Sequence, residues 1–154
     1  SGHNVLILTA HPDDETMFFG PTIISEVMAN RKVYVLCLSK GDYYGIGGRR
    51  VRELEECCRV LNVTAVEVVD DNRLKDTPSE WWDQSVIAKY VDQFVAKHSI
   101  DRIISFDDYG ISGHSNHRAL YQTLVTLRAD PKFAHISMYC LDSVSILRKS
   151  YYPS

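Results

Sequence analysis

Two short stretches concentrate the side chains able to do acid–base or metal chemistry. Ala10-His11-Pro12-Asp13-Asp14-Glu15 follows one apolar run, and Gly113-His114-Ser115-Asn116-His117 follows another much later in the chain. A catalytic zinc wants three protein ligands of nitrogen and oxygen type and an open position for water. Two adjacent carboxylates allow a division of labour, one holding a metal while the other handles protons. Each stretch alone has a plainer reading. Asp13, Asp14 and Glu15 would favour a helix start through its dipole, and His114 and His117 would be ordinary loop residues. The two stretches carry weight together only if the fold brings them side by side.

The elements between them predict that it does. Asn4–Thr9 reads as a first strand, and Pro21 suits the first turn of a helix running to about Asn30. Lys32–Ser39 reads as a second, buried strand. Arg49–Leu61 has helical spacing, with Val51, Leu54, Cys58 and Leu61 on one face. Val66–Val69 is a third strand, Trp82–Lys97 a helix, Arg102–Phe106 a fourth strand and His117–Arg128 a helix. His135–Leu141 and Ser143–Leu147 look like closing strands. This alternation predicts an α/β fold: a Rossmann-like three-layer sandwich with a mostly parallel central sheet and helices on both faces. Ligands in such folds sit beyond the carboxyl ends of the strands, which selects the loops after Thr9, Ser39 and Phe106. The chain reads as a single catalytic domain over residues 1–154, with no repeat and no linker.

The second of these loops points to an anion. Gly41-Asp42-Tyr43-Tyr44-Gly45-Ile46-Gly47-Gly48-Arg49-Arg50 runs into a helix N-terminus, where backbone amides, the dipole and two guanidiniums could hold a phosphate. Arg50 is the candidate contact. The alternative is a solvated helix face of Arg49, Arg50 and Arg52 with Glu53 pairing locally. A dinucleotide site is disfavoured, because the glycines follow the second strand and lack G-x-G-x-x-G spacing. Asp42 is a candidate for sugar hydroxyls. Asp71-Asn72-Arg73 reads as a turn with Asn72 left-handed, or as a second substrate contact through Arg73. Asp107 reads either as a residue that orients a ligating histidine or as a plain loop residue. The pairs Trp81-Trp82 and Tyr43-Tyr44 either rim a sugar or lipid headgroup site or, for the tryptophans, tuck one ring onto the sheet. His3, His98 and His135 read as surface residues.

Composition sets the outer bounds. The chain has 154 residues, 45% hydrophobic and 24% charged, which is the profile of a globular domain. Net charge is -3, from 17 Lys+Arg against 20 Asp+Glu, so no nucleic-acid partner is expected. No apolar run reaches the roughly 18 residues of a membrane span. Cys37, Cys57, Cys58 and Cys140 form no C-x-x-C pair and read as reduced thiols, which would leave the sequon Asn62-Val63-Thr64 silent. Ser1-Gly2-His3 reads as a tag remnant rather than a signal peptide. The abrupt end at Tyr151-Tyr152-Pro153-Ser154 leaves room for a missing C-terminal part.

Ala10-His11-Pro12-Asp13-Asp14-Glu15 resembles the AHPDDE signature of the zinc-dependent LmbE/PIG-L de-N-acetylase superfamily. Met17-Phe18-Phe19-Gly20-Pro21-Thr22, Gly41-Asp42-Tyr43-Tyr44, Asp71-Asn72-Arg73 and Gly110-Ile111-Ser112-Gly113-His114-Ser115-Asn116-His117 extend the likeness to its PIG-L branch, over about Asn4 to Lys149. The resemblance implies Zn2+ (or another divalent metal) on His11, Asp14 and His117. It implies Asp13 as general base, and His114 as the group that offsets the developing charge or protonates the leaving amine. Bound zinc would make water acidic near neutral pH and polarise the acetamide carbonyl. Arg50 fits the family's Arg-x-x-Glu-Leu helix, continued by Glu53 and Leu54. Asn116 stands where many bacterial members have Asp, and joins Arg50, Asp42 and Arg73 as a substrate-binding candidate. The implied substrate is the glycolipid N-acetylglucosaminyl-phosphatidylinositol, in the second step of GPI-anchor synthesis. The implied place is the cytosolic face of the endoplasmic reticulum membrane, with an N-terminal anchor absent from this chain. Two alternatives stay open: deacetylation of another GlcNAc conjugate, and a non-catalytic sugar- or phosphoinositide-binding domain.

Overall fold

The computed structural model describes residues 3–12, 20–40, 47–75, 81–106, 115–141 and 148–150, with side chains left out at 47, 106, 117, 140, 141 and 148–150. In chain order its elements are strand β1 (Asn4–Thr9), helix α1 (Gly20–Met28), β2 (Lys32–Cys37), α2 (Gly47–Val60) and β3 (Ala65–Val68). Helix α3 (Gln84–His98), β4 (Arg102–Phe106), α4 (Ser115–Arg128), a 3-10 turn at Pro131–Phe133, β5 (Ser137–Leu141) and β6 (Arg148–Ser150) follow. The strands form one sheet in the order β3-β2-β1-β4-β5-β6. All neighbours run parallel except β5 and β6. The expected sandwich is therefore the fold observed.

The strand sequences explain the layering. A strand buried on both faces reads as a continuous apolar run, and β1 (NVLILT) and β2 (KVYVLC) do so. Val5, Leu6, Ile7 and Leu8 are sealed from solvent, as are Val33, Val35 and Leu36. Right-handed crossovers set α1 and α2 on one face of the sheet and α3 and α4 on the other, where the latter two pack against each other. Among the described residues, no helix is long and apolar enough to cross a membrane.

Three helices stop by the same device. Asn30, Asn62 and Ser99 take a left-handed backbone, with φ of 65°, 64° and 52°. Behind each, the next amide reaches five residues back: Arg31 to Glu26, Val63 to Cys58 and Ile100 to Val95. Asparagine tolerates this conformation better than most residues. Asn72 is not among the left-handed residues; Asp71-Asn72-Arg73 does form a turn, closed by the Leu74 amide on the Asp71 carbonyl at 2.9 Å.

Some boundaries differ from the sequence reading for identifiable reasons. Helix α3 starts at Gln84 rather than Trp82, because Asp83 caps it by accepting from the Ser85 amide at 2.9 Å. Trp82 instead enters the core, 1% exposed, and its Nε1–H donates to the Lys75 carbonyl at 2.7 Å. The last strand is observed at Arg148–Ser150, antiparallel to β5. The expected Ser143–Leu147 strand lies outside the described residues. His98 is half-buried rather than superficial, stacked on Tyr34 with ring centroids 4.5 Å apart. His3 and His135 are exposed, and Cys37, Cys57 and Cys58 form no disulfide.

A buried carboxylate locks α1 to the sheet. Glu26 is 1% exposed, and it accepts from Arg31 Nη1 at 2.7 Å and from Arg102 Nη1 at 3.1 Å. Removing one member of such a group strands buried charge on the others, which typically costs about 3–5 kcal/mol. Glu26→Ala is expected to lower unfolding stability by roughly 3 kcal/mol, read by urea denaturation. A loss below about 1 kcal/mol would show the network to be dispensable.

Candidate functional site

Strand β1 lies between β2 and β4, and the chain leaves β1 toward one face and β4 toward the other. That divergence makes the carboxyl ends of β1 and β4 the topological switch point, where α/β sheets open a crevice. His11 follows β1, and α4 begins after β4 with Ser115, Asn116 and His117 in its first turn. The described members of the two polar stretches, His11 and Asn116, therefore meet at this end of the sheet.

Their contact is direct. Asn116 Nδ2 lies 3.1 Å from His11 Nε2, across 105 positions of sequence. His11 is 5% exposed and Asn116 is fully buried. The His11 ring also meets Trp82 edge-on, with centroids 5.9 Å apart at 62°. One residue earlier, the Ala10 carbonyl accepts from Ser39 Oγ at 2.7 Å. The Ser105 hydroxyl donates to the Leu8 carbonyl at 3.1 Å. The end of β1 is thus braced by hydroxyls from the chain following β2 and from β4, and the imidazole is held by α4 and by the segment before α3.

Asp13, Asp14, Asp42, Asp107 and His114 lie outside the described residues, as do Tyr43, Tyr44 and the side chain of His117. Among the described residues, no group of three or more His, Cys, Asp or Glu side chains is poised to hold a metal. His11 is the one proposed ligand whose side chain is described. A buried ring with a polar partner on one nitrogen suits a metal ligand, since ligating histidines almost always engage a partner through the other nitrogen.

The arginines sort differently from one another. In the first turns of α2, Arg49 and Arg52 are exposed, and Arg49 pairs with Glu53 at 3.5 Å. The solvated-face reading describes those two. Arg50 is half-buried, which sets it apart as the anion candidate. Arg73 sits in the turn after β3 and grips Asp71 with two hydrogen bonds, Nε to Oδ1 at 3.0 Å and Nη2 to Oδ2 at 2.7 Å. Tyr90 donates to the same carboxylate at 2.7 Å. Arg73 remains 59% exposed.

Sequence reading named Trp82 without its contact to His11 and missed Arg118. Trp82 packs on His11, and Arg118, two residues past Asn116, lies over the Trp81 ring at 5.3 Å. Trp81 is 46% exposed, and the Arg118 Nε is buried without a hydrogen bond among the described residues. A cation in the first turn of a helix opposes the helix dipole, and the tryptophan face compensates it. The adjacent tryptophans thus divide: one ring fills the core beneath the site and the other stays at its edge.

Known proteins resemble the chain at several levels. A family model described as PIG-L, GlcNAc-PI de-N-acetylase, matches residues 6–127. The N-acetylglucosaminyl-phosphatidylinositol de-N-acetylase of Bos taurus is 39% identical over 151 residues, covering 96% of this chain and 60% of that protein. The Schizosaccharomyces pombe protein bearing the same name, qualified as probable, is 40% identical over 152 residues, covering 95% and 59%. The chain therefore spans about three-fifths of the length of these relatives. Among solved structures, the N,N'-diacetylchitobiose deacetylase of Pyrococcus horikoshii superposes with a TM-score of 0.72 at 18% identity, over 99% of this chain and 62% of that one. At that identity the likeness concerns the fold.

The Asp71 cluster gives a pH prediction. Hydrogen bonds from the Arg73 side chain and amide and from Tyr90 hold the Asp71 carboxyl well below the usual carboxylate range. A depressed folded-state pKa stabilises the fold fully above the unfolded value of about 3.9, and that contribution is lost as pH falls below it. Asp71→Asn should therefore be less stable than the parent at pH 6, with the gap closing between pH 4 and pH 2. Urea midpoints across that range test it; a gap independent of pH would refute the assignment.

Proposed function

We propose that this chain, which belongs to the PIG-L family of GlcNAc-PI de-N-acetylases, is the catalytic domain of an N-acetylglucosaminyl-phosphatidylinositol deacetylase. The reaction is hydrolysis of the N-acetyl group to give glucosaminyl-phosphatidylinositol and acetate, the second step of GPI-anchor synthesis. The observation that supports this most is the buried His11 at the end of β1, in contact with the first turn of α4 at the sheet's switch point. A non-catalytic binding module has no need for His11, Asp13, Asp14, His114 and His117 together.

The donor set fits zinc: two imidazoles and a carboxylate, one imidazole buried with a partner on Nε2. His11, Asp14 and His117 would hold the ion. When bound, zinc lowers the pKa of water toward neutrality and polarises the substrate carbonyl. Asp13 takes the proton of the attacking water. His114, as imidazolium, offsets charge on the carbonyl oxygen or supplies a proton to the departing glucosamine nitrogen. Acetate leaves without a covalent link to the chain.

Arg50 meets the inositol phosphodiester, with the N-terminus of α2 behind it. Asp42 receives sugar hydroxyls. Arg73, held by Asp71, contributes an outer contact, and Trp81 with Arg118 offers a flat face to a sugar or lipid headgroup. The substrate is a membrane lipid, so the domain works at a bilayer surface, the cytosolic face of the endoplasmic reticulum in this reading.

Two measurements test the proposal. The purified protein should carry about one zinc per chain and release acetate from GlcNAc-phosphatidylinositol, and Asp14→Ala should lose both. A parent protein that neither binds added zinc nor gains activity with it refutes the metal-hydrolase reading. Arg50→Ala should raise KM roughly 10- to 100-fold on the phosphodiester, the scale of a charged hydrogen bond, and leave a phosphate-free GlcNAc derivative unaffected. Equal losses on both substrates would remove Arg50 from the phosphate. Parent turnover as fast on the soluble derivative would favour another GlcNAc conjugate as the natural substrate.

A further inference from the structure

We propose that Asn116 is a positioning residue that clamps His11 through Nε2, so that Nδ1 is the nitrogen His11 presents to the metal. The assignment of a metal to His11 rests on the functional reading above; the clamp itself rests on geometry. Both side chains are buried, and the amide nitrogen stands 3.1 Å from Nε2. Asn116 occupies the second position of α4, so a helix fixes its backbone. The imidazole is confined in two further ways. Trp82 meets it edge-on and is itself tethered to the Lys75 carbonyl, and Ser39 pins the Ala10 carbonyl immediately before it.

The chemistry of the two groups explains why an amide suits this place. A neutral imidazole carries one N–H and one lone pair. With its N–H₂ toward the ring, Asn116 donates to a bare Nε2, and the ring proton resides on Nδ1. With the amide turned over, Oδ1 accepts from Nε2–H at the same separation, and the Nδ1 lone pair is freed for a cation. Asparagine serves both tautomers without adding charge. An aspartate serves only the second, and an alanine serves neither. Asn116 is fully buried, and the clamp places it behind the ligand rather than against the sugar.

Histidine nitrogen NMR on the ¹⁵N-labelled protein tests this, with His11→Gln assigning the signals. The metal-free parent is expected to show His11 with its proton on Nδ1. Zinc should move the Nδ1 resonance and put the proton on Nε2. Asn116→Asp should hold the Nε2–H tautomer without metal and retain zinc affinity. Asn116→Ala should mix the tautomers and weaken zinc 10- to 100-fold in chelator competition, the usual effect of losing a ligand's outer partner. If Asn116→Ala fails to fold by circular dichroism, the Asn116→Asp tautomer decides alone. An unchanged His11 tautomer in the folded variants, or zinc on Nε2 in the parent, overturns the proposal. A parent that binds no zinc counts against the metal reading, and the clamp still stands or falls on the metal-free tautomers.

Discussion

Strand β1 has a parallel neighbour on each edge and a helical layer over each face, and its interior side chains see no water. Everything proposed for the site depends on where this strand ends. Register fixes it laterally, with Ile7 opposite Val35 on one side and Ile104 on the other. Beyond the ladder the chains diverge, and carbonyls there lose regular partners that a buried group cannot do without. Two hydroxyls fill that role, Ser105 on the Leu8 carbonyl and Ser39 on the Ala10 carbonyl. The strand therefore delivers His11 to a defined place, and α4 receives it there through Asn116.

The layer order was legible because the information is local. β1 and β4 have the bounds expected of them, since each is an apolar run bordered by residues that do not continue it: His11-Pro12 in one case, Asp107-Asp108 in the other. Helix α3 shows the limit of the same logic. Periodicity counts Trp82 as helical because it is apolar and in phase; the Asp83 cap excludes it, and the ring is free to enter the core. His98 escaped for a related reason. An imidazole near a helix end looks solvent-facing in sequence, yet Tyr34 and Phe94 enclose it and burial lowers its pKa. The Asn116–His11 contact joins segments 105 positions apart, and no local pattern encodes it. Motif resemblance marked both residues without showing that they touch.

Charge alone was a poor guide to role, and partners explain why. The sequence offers three basic residues within four positions at the start of α2, and only Arg50 is turned partly inward. Arg73 shares a motif with the family yet commits both prongs of its guanidinium to Asp71. Glu26, on an amphipathic helix, looks like a solvated acid; it is buried between two arginines and belongs to the architecture. Acids and bases that pair with one another, as Glu26 does with Arg31 and Arg102, hold the frame. His11, by contrast, stands where the strands part.

The family match covers the elements that frame the crevice. It runs from Leu6 to Leu127, from within β1 to the last turn of α4. A switch point needs a strand with connections leaving to both faces. In this order that requires β1, β2 and β3 with α1 and α2 on one side, and the return through α3 to β4 and α4 on the other. Strands β5 and β6 only widen the sheet beyond β4, β6 reversing direction at its edge. The matched region thus holds both β1, which delivers His11, and α4, whose Asn116 meets it.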